Sequence, residues 1–325
     1  MSDAHPPAHP APQPPAPERP LPLPLACGAG LLMGAADSVP GVSGGTIALV
    51  LGVYERLIES ISACLRLPTL VRTPEGRARL ARALHFLLPL GMGVLAAYYV
   101  GTRVLVGPTE SPGLLRRADT APLCYAFFLG LVLFSLPEPW RRIGQRTGVS
   151  YCAALLAAVF VAWLVGLDHA TSAPQDWMLL PGGALAISVM LLPGISGSLL
   201  LLVLGQYTTI AGAVHNLDQG AEVTRLLIFF AGVLLGLIFF IPFLRYLLRR
   251  HHDLTLATLT GLMLGSVRAL WPWKSHYDLK DPALGRMVNV GVGSDWLWAL
   301  LALAAGAGSV WFLDRLARRI ARSGH

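Results

Sequence analysis

The feature that most constrains this chain is a phrase it uses twice. "PGVSGGTIALVLGVYE" (residues 40–55) and "PGISGSLLLLVLGQYT" (residues 193–208) agree at nine of sixteen positions, all at the offset that separates Pro40 from Pro193. Each sets Pro, Gly and Ser into an apolar run, and each ends on Leu-Gly-x-Tyr. Pro and Gly oppose a continuous helix and Ser competes for backbone hydrogen bonds, so each phrase predicts a helix broken once and then resumed. A second echo, "GLVLFS" (130–135) and "GLMLGS" (261–266), falls in the third apolar segment after each phrase. The duplication predicts a fold made of two similar parts.

The breaks interrupt a chain suited to a bilayer. Of its 325 residues, 54% are hydrophobic and 13% charged; a soluble domain carries about 25% charged residues. Apolar runs near 84–106, 149–167, 223–248 and 295–313 approach or exceed the roughly 20 helical residues that cross a hydrocarbon core. Shorter runs lie at 121–136 and 254–270. The expected class is an all-α polytopic membrane protein. Residues 1–24 hold ten prolines and no core-forming pattern, which predicts a disordered cytoplasmic tail rather than a signal peptide. Cys27, Cys64, Cys124 and Cys152 lie in or beside apolar stretches without CxxC spacing and read as small buried hydrophobes. No metal site is expected, and His251–His252 belong to a basic loop. The net charge of +7 sits in loops between apolar segments, so it reads as membrane orientation and not as a nucleic-acid surface.

Loop charge sets the expected topology. Residues 65–82 carry Arg66, Arg72, Arg77, Arg79 and Arg82 against Glu75, and 137–148 carry Arg141, Arg142 and Arg146 against Glu138. Between and after them, 107–119 is balanced and 168–178 has Asp168 and Asp176 with no base. Later, 214–222 holds Asp218 and Glu222, Arg245, Arg249 and Arg250 form a basic turn, and 271–295 is balanced. The tail bears Arg315, Arg318, Arg319 and Arg322. With basic loops inside, the sides alternate without exception and both termini are cytoplasmic. Residues 168 and 214 then share the outer side. The 34 residues 180–213 are short for two spans and a turn, so they form a re-entrant hairpin turning at Pro193–Ser198. The first phrase does the same from the cytoplasmic side, between Leu25 and Leu65. The expectation is an inverted repeat, each half a re-entrant helical hairpin plus about three transmembrane helices. The halves are 25–167 and 180–318, followed by a basic tail, 319–325.

Broken helices at membrane depth call for polar partners, either a ligand or close packing with Ser bonded to backbone. Backbone N–H and C=O groups freed there find no partner in lipid and survive only against protein, water or substrate. Gly44, Gly45 and Gly197 allow close backbone approach, Ser43, Thr46, Ser196 and Ser198 add hydroxyls, and the resumed helices aim their N-termini at the break. The pair makes a candidate cradle for phosphate or carboxylate. Asp37 costs about 2.5–3.5 kcal/mol at a helix centre. It is read either as the site of a coupling proton or sodium ion or as a helix cap. Glu55 beside Arg56 is a further ion-coupling candidate or a plain ion pair. Arg268, before Trp271 and Trp273, is a candidate phosphate contact because its fork matches phosphate oxygens; snorkelling to headgroups is the alternative.

"MGAADSVPGVSGGTIALVLGVYE", "LLPGISGSLLLLVLGQY" and "GLMLGSVRALWPW" resemble the DUF368 family, bacterial undecaprenyl-phosphate transporters of the PopT type, over residues 25–318. The resemblance implies a flippase in the cytoplasmic (inner) membrane that returns undecaprenyl phosphate from the outer to the inner leaflet for cell-envelope synthesis. Its partners are then the polyprenyl-phosphate lipid and the membrane, with homo-oligomers allowed and no organic cofactor. Rival readings are an intramembrane undecaprenyl-diphosphate phosphatase, a secondary transporter of a small anion, and a scaffold. The phosphatase phrase PGxSRS carries an Arg that is absent here, and no acidic pair stands nearby for acid/base work; no enzyme activity is expected.

Overall fold

The computed structural model describes residues 21–38, 43–107, 111–167, 174–215, 220–277 and 287–323. The Pro-rich segment 1–20, residues 39–42 of the first break, Asp168, Asp218, the charged stretch 278–286 and residues 324–325 lie outside the described residues.

The order of helices runs twice. The first series is α1 (Leu23–Asp37), α2 (Gly44–Val50), α3 (Tyr54–Leu65), the short α4 (Leu67–Leu70), α5 (Pro74–Gly101), α6 (Ala121–Ser135), the short α7 (Pro137–Arg141) and α8 (Gly148–Leu164). The second is α9 (Leu179–Leu191), α10 (Gly197–Val203), α11 (Tyr207–His215), α12 (Gly220–Arg250), α13 (His252–Ser266) and α14 (Trp296–Ser323). Both breaks fall where the repeated phrase places them, and α2 and α10 are each 7 residues long. Each short helix ends at the Gly of Leu-Gly-x-Tyr, with φ of +71° at Gly52 and +68° at Gly205. Only glycine enters that region at little cost.

Local chemistry starts the long helices. Thr73 caps α5 by accepting from the Gly76 N–H at 3.1 Å, with Pro74 in the first turn. In α12, Glu222 stands in the first turn and Arg249 and Arg250 in the last, each sign matching the helix dipole. Pro89 lies inside α5 and Pro242 inside α12, a residue tolerated in membrane helices where neighbours satisfy the freed carbonyl.

Helix pairs pack backbone to backbone at matching places. In the first series α1 lies on α5, and in the second α9 lies on α12. A methyl group on Gly30 would meet the Leu90 oxygen at 2.0 Å, and one on Gly183 the Phe229 oxygen at 2.3 Å. The remaining long helices exchange partners: α6 packs on α14 and α8 on α13. There the glycines of the second echo do equivalent work, Gly130 against Leu303 and Gly261 against Ala154. Small residues at such crossings let membrane helices approach closely, where packing rather than hydrophobicity drives association.

Among the described residues, three helical stretches are long and apolar enough to cross a membrane: Pro74–Leu105, Ala121–Arg141 and Gly220–Arg250. The run at 121–136 is longer than its composition suggested because α7 continues it. The runs at 149–167 and 295–313 yield shorter apolar helices, Gly148–Leu164 and Trp296–Phe312. Outward faces are apolar, with Met92, Leu95, Leu227, Phe230 and Phe239 exposed. For the same reason the cysteines are less buried than expected. Cys27, Cys64 and Cys124 are partly covered, Cys152 is exposed, and all four are free.

Candidate functional site

The two breaks, 153 positions apart in sequence (Pro40 to Pro193), meet in space. The Gly194 N–H donates to Thr46 Oγ1 at 2.9 Å, and the Tyr54 hydroxyl donates to the Leu191 carbonyl at 2.9 Å. Ser43 Oγ faces the carbonyls of Leu192 and Met190 at 3.3 and 3.4 Å, long contacts for a hydroxyl donor. Gly45 packs against the same segment, since a methyl there would lie 3.2 Å from the Leu191 oxygen. Backbone groups freed by the second break are thus satisfied by side chains of the first motif, as burial requires. Ser43 and Thr46 are each 1% exposed and Ser196 7% exposed, so this polar seam is enclosed.

The breaks differ in their caps. Asp37 Oδ1 accepts from the Gly44 N–H at 2.6 Å, and Ser43 Oγ accepts from Gly45 N–H at 3.1 Å, so α2 begins with its donors engaged. At the offset of the repeat, Asp37 corresponds to Met190. Ser196 makes no side-chain cap to α10; its hydroxyl instead pairs with that of Ser198 at 2.7 Å. A methyl on Gly44 would meet the Asp37 carboxylate at 2.5 Å, and one on Gly197 the Ala186 oxygen at 3.0 Å and Met190 Cβ at 3.3 Å. These glycines therefore serve close approach. Left-handed backbone occurs at Gly194, with φ +89°. There a methyl would lie 2.6 Å from the Leu262 backbone.

The other candidates stand apart from the seam. Glu55, at the start of α3, faces His252 Nε2 at 3.6 Å and is half exposed, while Arg56 lies over the Phe86 ring at 5.8 Å. Arg268 is exposed and donates to the Ala162 carbonyl at 2.8 Å. That carbonyl belongs to the last turn of α8, so the guanidinium caps a helix C-terminus, a cation's favourable place. Gly194 packs on Leu262 and Met263 near the C-terminal end of α13, and Arg268 lies about one and a half turns farther along.

Two groups were missed by pattern. Tyr54 is 1% exposed, and nothing in Leu-Gly-x-Tyr says that its hydroxyl serves the opposite motif. Gln206, the counterpart of Val53, is buried and donates to the Met178 carbonyl at 2.8 Å, with its Oε1 unpartnered among the described residues.

Comparison with known proteins bears on this seam. A family described as VCA0040-like, undecaprenyl phosphate translocase-like, matches residues 33–288, which include both breaks. A polyprenyl-phosphate transporter of Vibrio cholerae is 34% identical over 308 residues, covering 89% of this chain and 96% of that protein. A polyprenyl-phosphate transporter of Staphylococcus aureus is 31% identical over 259 residues, covering 75% and 84%. No solved structure matches the chain. With both broken helices inside a match over most of its length, the chain belongs to the VCA0040-like, undecaprenyl phosphate translocase-like family.

Proposed function

We propose that this protein transports undecaprenyl phosphate across the bacterial cytoplasmic membrane and returns it from the outer to the inner leaflet. The observation that carries this reading is the meeting of the two breaks in one enclosed polar seam. A lipid phosphate cannot take its charge through about 30 Å of hydrocarbon unaided. A seam of hydroxyls and freed N–H groups gives it a halfway partner, and the relatives named polyprenyl-phosphate transporters supply the substrate class.

In this reading each half is a re-entrant hairpin with three spanning helices, and the halves, 25–167 and 180–318, are inverted with both termini cytoplasmic. The exchange of partners between α6–α14 and α8–α13 suits a pseudo-twofold arrangement, in which rocking of the halves opens the seam to either side. The phosphate binds chiefly at the second break. Asp37 already places a carboxylate on the first helix's donors, whereas Ser196, Gly197 and Ser198 begin a helix without a side-chain cap. Ser43 and Thr46, now bonded to the opposite break, exchange those bonds as the substrate enters. Asp37 is the candidate for the coupling proton or sodium ion; Glu55, turned to His252, is the weaker one.

Reconstitution tests the reading. Purified protein in liposomes is expected to move labelled undecaprenyl phosphate between leaflets and to release no phosphate from undecaprenyl diphosphate. Transport of inorganic phosphate without lipid movement, or hydrolysis of the diphosphate, would overturn it.

A further inference from the structure

Lys274 lies in the segment between α13 and α14, and it is buried at 8% exposure. Its Nζ donates to Asn289 Oδ1 at 3.0 Å and stands 5.0 Å from the centroid of the Tyr125 ring. Tyr277, whose ring lies 6.1 Å from that of Tyr125, accepts from the Lys274 N–H through its hydroxyl at 3.3 Å. Among the described residues no carboxylate pairs with this ammonium, whose bonded partner is a neutral amide. A buried cation is costly unless an anion meets it, and a protein that needed only packing here would gain by an apolar residue. The second amide atom of Asn289, Nδ2, donates to the Arg268 carbonyl at 2.9 Å, so Lys274 is tied to the end of α13. The same helix bears on the second break through Leu262 and Met263.

The geometry points to Lys274 as a second contact for the phosphate of the lipid substrate, at the Arg268 end of the molecule, which adds to the discrimination of a phosphate monoester from the uncharged alcohol. The inference rests on the proposed function. A phosphate oxygen makes a charge-assisted bond to an ammonium that a neutral amide oxygen cannot match, so the ligand displaces Asn289 Oδ1. The Tyr125 face holds the ammonium side-on, leaving its other N–H groups for the incoming anion.

The test compares binding of undecaprenyl phosphate and undecaprenol to full-length protein in phosphatidylcholine nanodiscs. Wild type is expected to prefer the phosphate. In Lys274→Met the preference should fall about tenfold or more, with the thermal midpoint unchanged or raised because an uncompensated buried charge is gone. Lys274→Arg should keep most of the preference. Asn289→Asp, which gives the ammonium a resident carboxylate, provides a second variant and should also lower it. If both variants fold and keep the wild-type ratio, or if Lys274→Met loses stability alone, Lys274 is a structural clamp and the inference fails. Displacement of the lipid by an equal concentration of inorganic phosphate would overturn the assignment to a lipid headgroup. A wild type without preference contradicts the proposed function instead, and that arm reads it independently of every variant.

Discussion

The two broken helices share a backbone and differ in charge. Both resume after a Ser, run 7 residues and end at a glycine of positive φ. The first is closed off by Asp37 on the Gly44 N–H, whereas the second has Met190 at the corresponding place and no side-chain cap. The two breaks share their short resumed helix and its closing glycine, while one register position gives the first break a carboxylate and the second none. A carboxylate at a helix N-terminus is stabilising, and it also occupies the place a phosphate would take.

The largest effect is expected where the shared geometry itself is broken. Gly194→Val meets both a positive φ of +89° and the Leu262 backbone at 2.6 Å. Left-handed backbone alone costs a side chain about 1–2 kcal/mol, and the clash adds to it. Folded yield and thermal midpoint should drop sharply. Gly44→Ala meets a movable carboxylate and should lose far less; equal losses at the two positions would mean that backbone contact is not what distinguishes them.

The next pair exchanges the charges. Met190→Asp gives the second break the first one's carboxylate and should weaken undecaprenyl-phosphate binding about tenfold or more, as for loss of a bond to a charged group. Asp37→Asn retains an acceptor for the Gly44 N–H and removes the charge. It should leave the fold intact, keep or improve lipid affinity, and abolish any dependence of transport on pH or sodium. Binding assays at matched expression read both, and an unaffected Met190→Asp would deny that the second break is the anion's side.

Acidity gives a smaller effect outside the helices. Burial pushes the Lys274 ammonium down to about 8; the titratable groups near it among the described residues include Tyr125, Tyr277 and, beyond Trp273, Asp295. Lipid affinity should decline as pH rises through about 8, where the ammonium gives up its proton. Without ligand the sign reverses. An unfolded lysine titrates near 10.4, so between that value and about 8 the unfolded chain binds more protons and stability rises with pH. Both trends should vanish in Lys274→Met. Smallest of all is Arg268→Ala, which removes an exposed guanidinium from the α8 C-terminus. The expected loss is about 0.3–1 kcal/mol of stability, with little change in lipid binding; a large binding defect would restore Arg268 as a phosphate contact.

Much of this was legible in the sequence, for reasons the residues make plain. The repeat of Pro, Gly and Ser marked where α1 gives way to α2 and α9 to α10 because these residues oppose a continuous helix, whereas the positive φ of Gly52 and Gly205 was not read from the sequence. The glycines of the second echo marked real helix crossings, since nothing larger fits against Leu303 and Ala154. Other features depend on which groups meet after folding. Nothing in the sequence says that the Asp37 carboxylate reaches the Gly44 N–H. Arg268 matched a phosphate by chemistry but found a helix carbonyl. Lys274 looked like an ordinary loop charge among acidic neighbours, and its burial comes from Tyr125, 149 positions earlier in the chain.

The central claim is that the two breaks act on one ligand as a unit. A double-mutant cycle on undecaprenyl-phosphate affinity tests it most directly, using Ser43→Ala, Ser196→Ala and the double variant in lipid nanodiscs. Ser43 faces the carbonyl just before Pro193, so its loss loosens the turn from which Ser196 reaches the phosphate. Ser196→Ala should cost more than Ser43→Ala, and the pair should be non-additive by about 0.5–3 kcal/mol, as expected of groups that share a partner. Strict additivity, with equal losses at the two serines, would contradict both the unity of the site and its asymmetry.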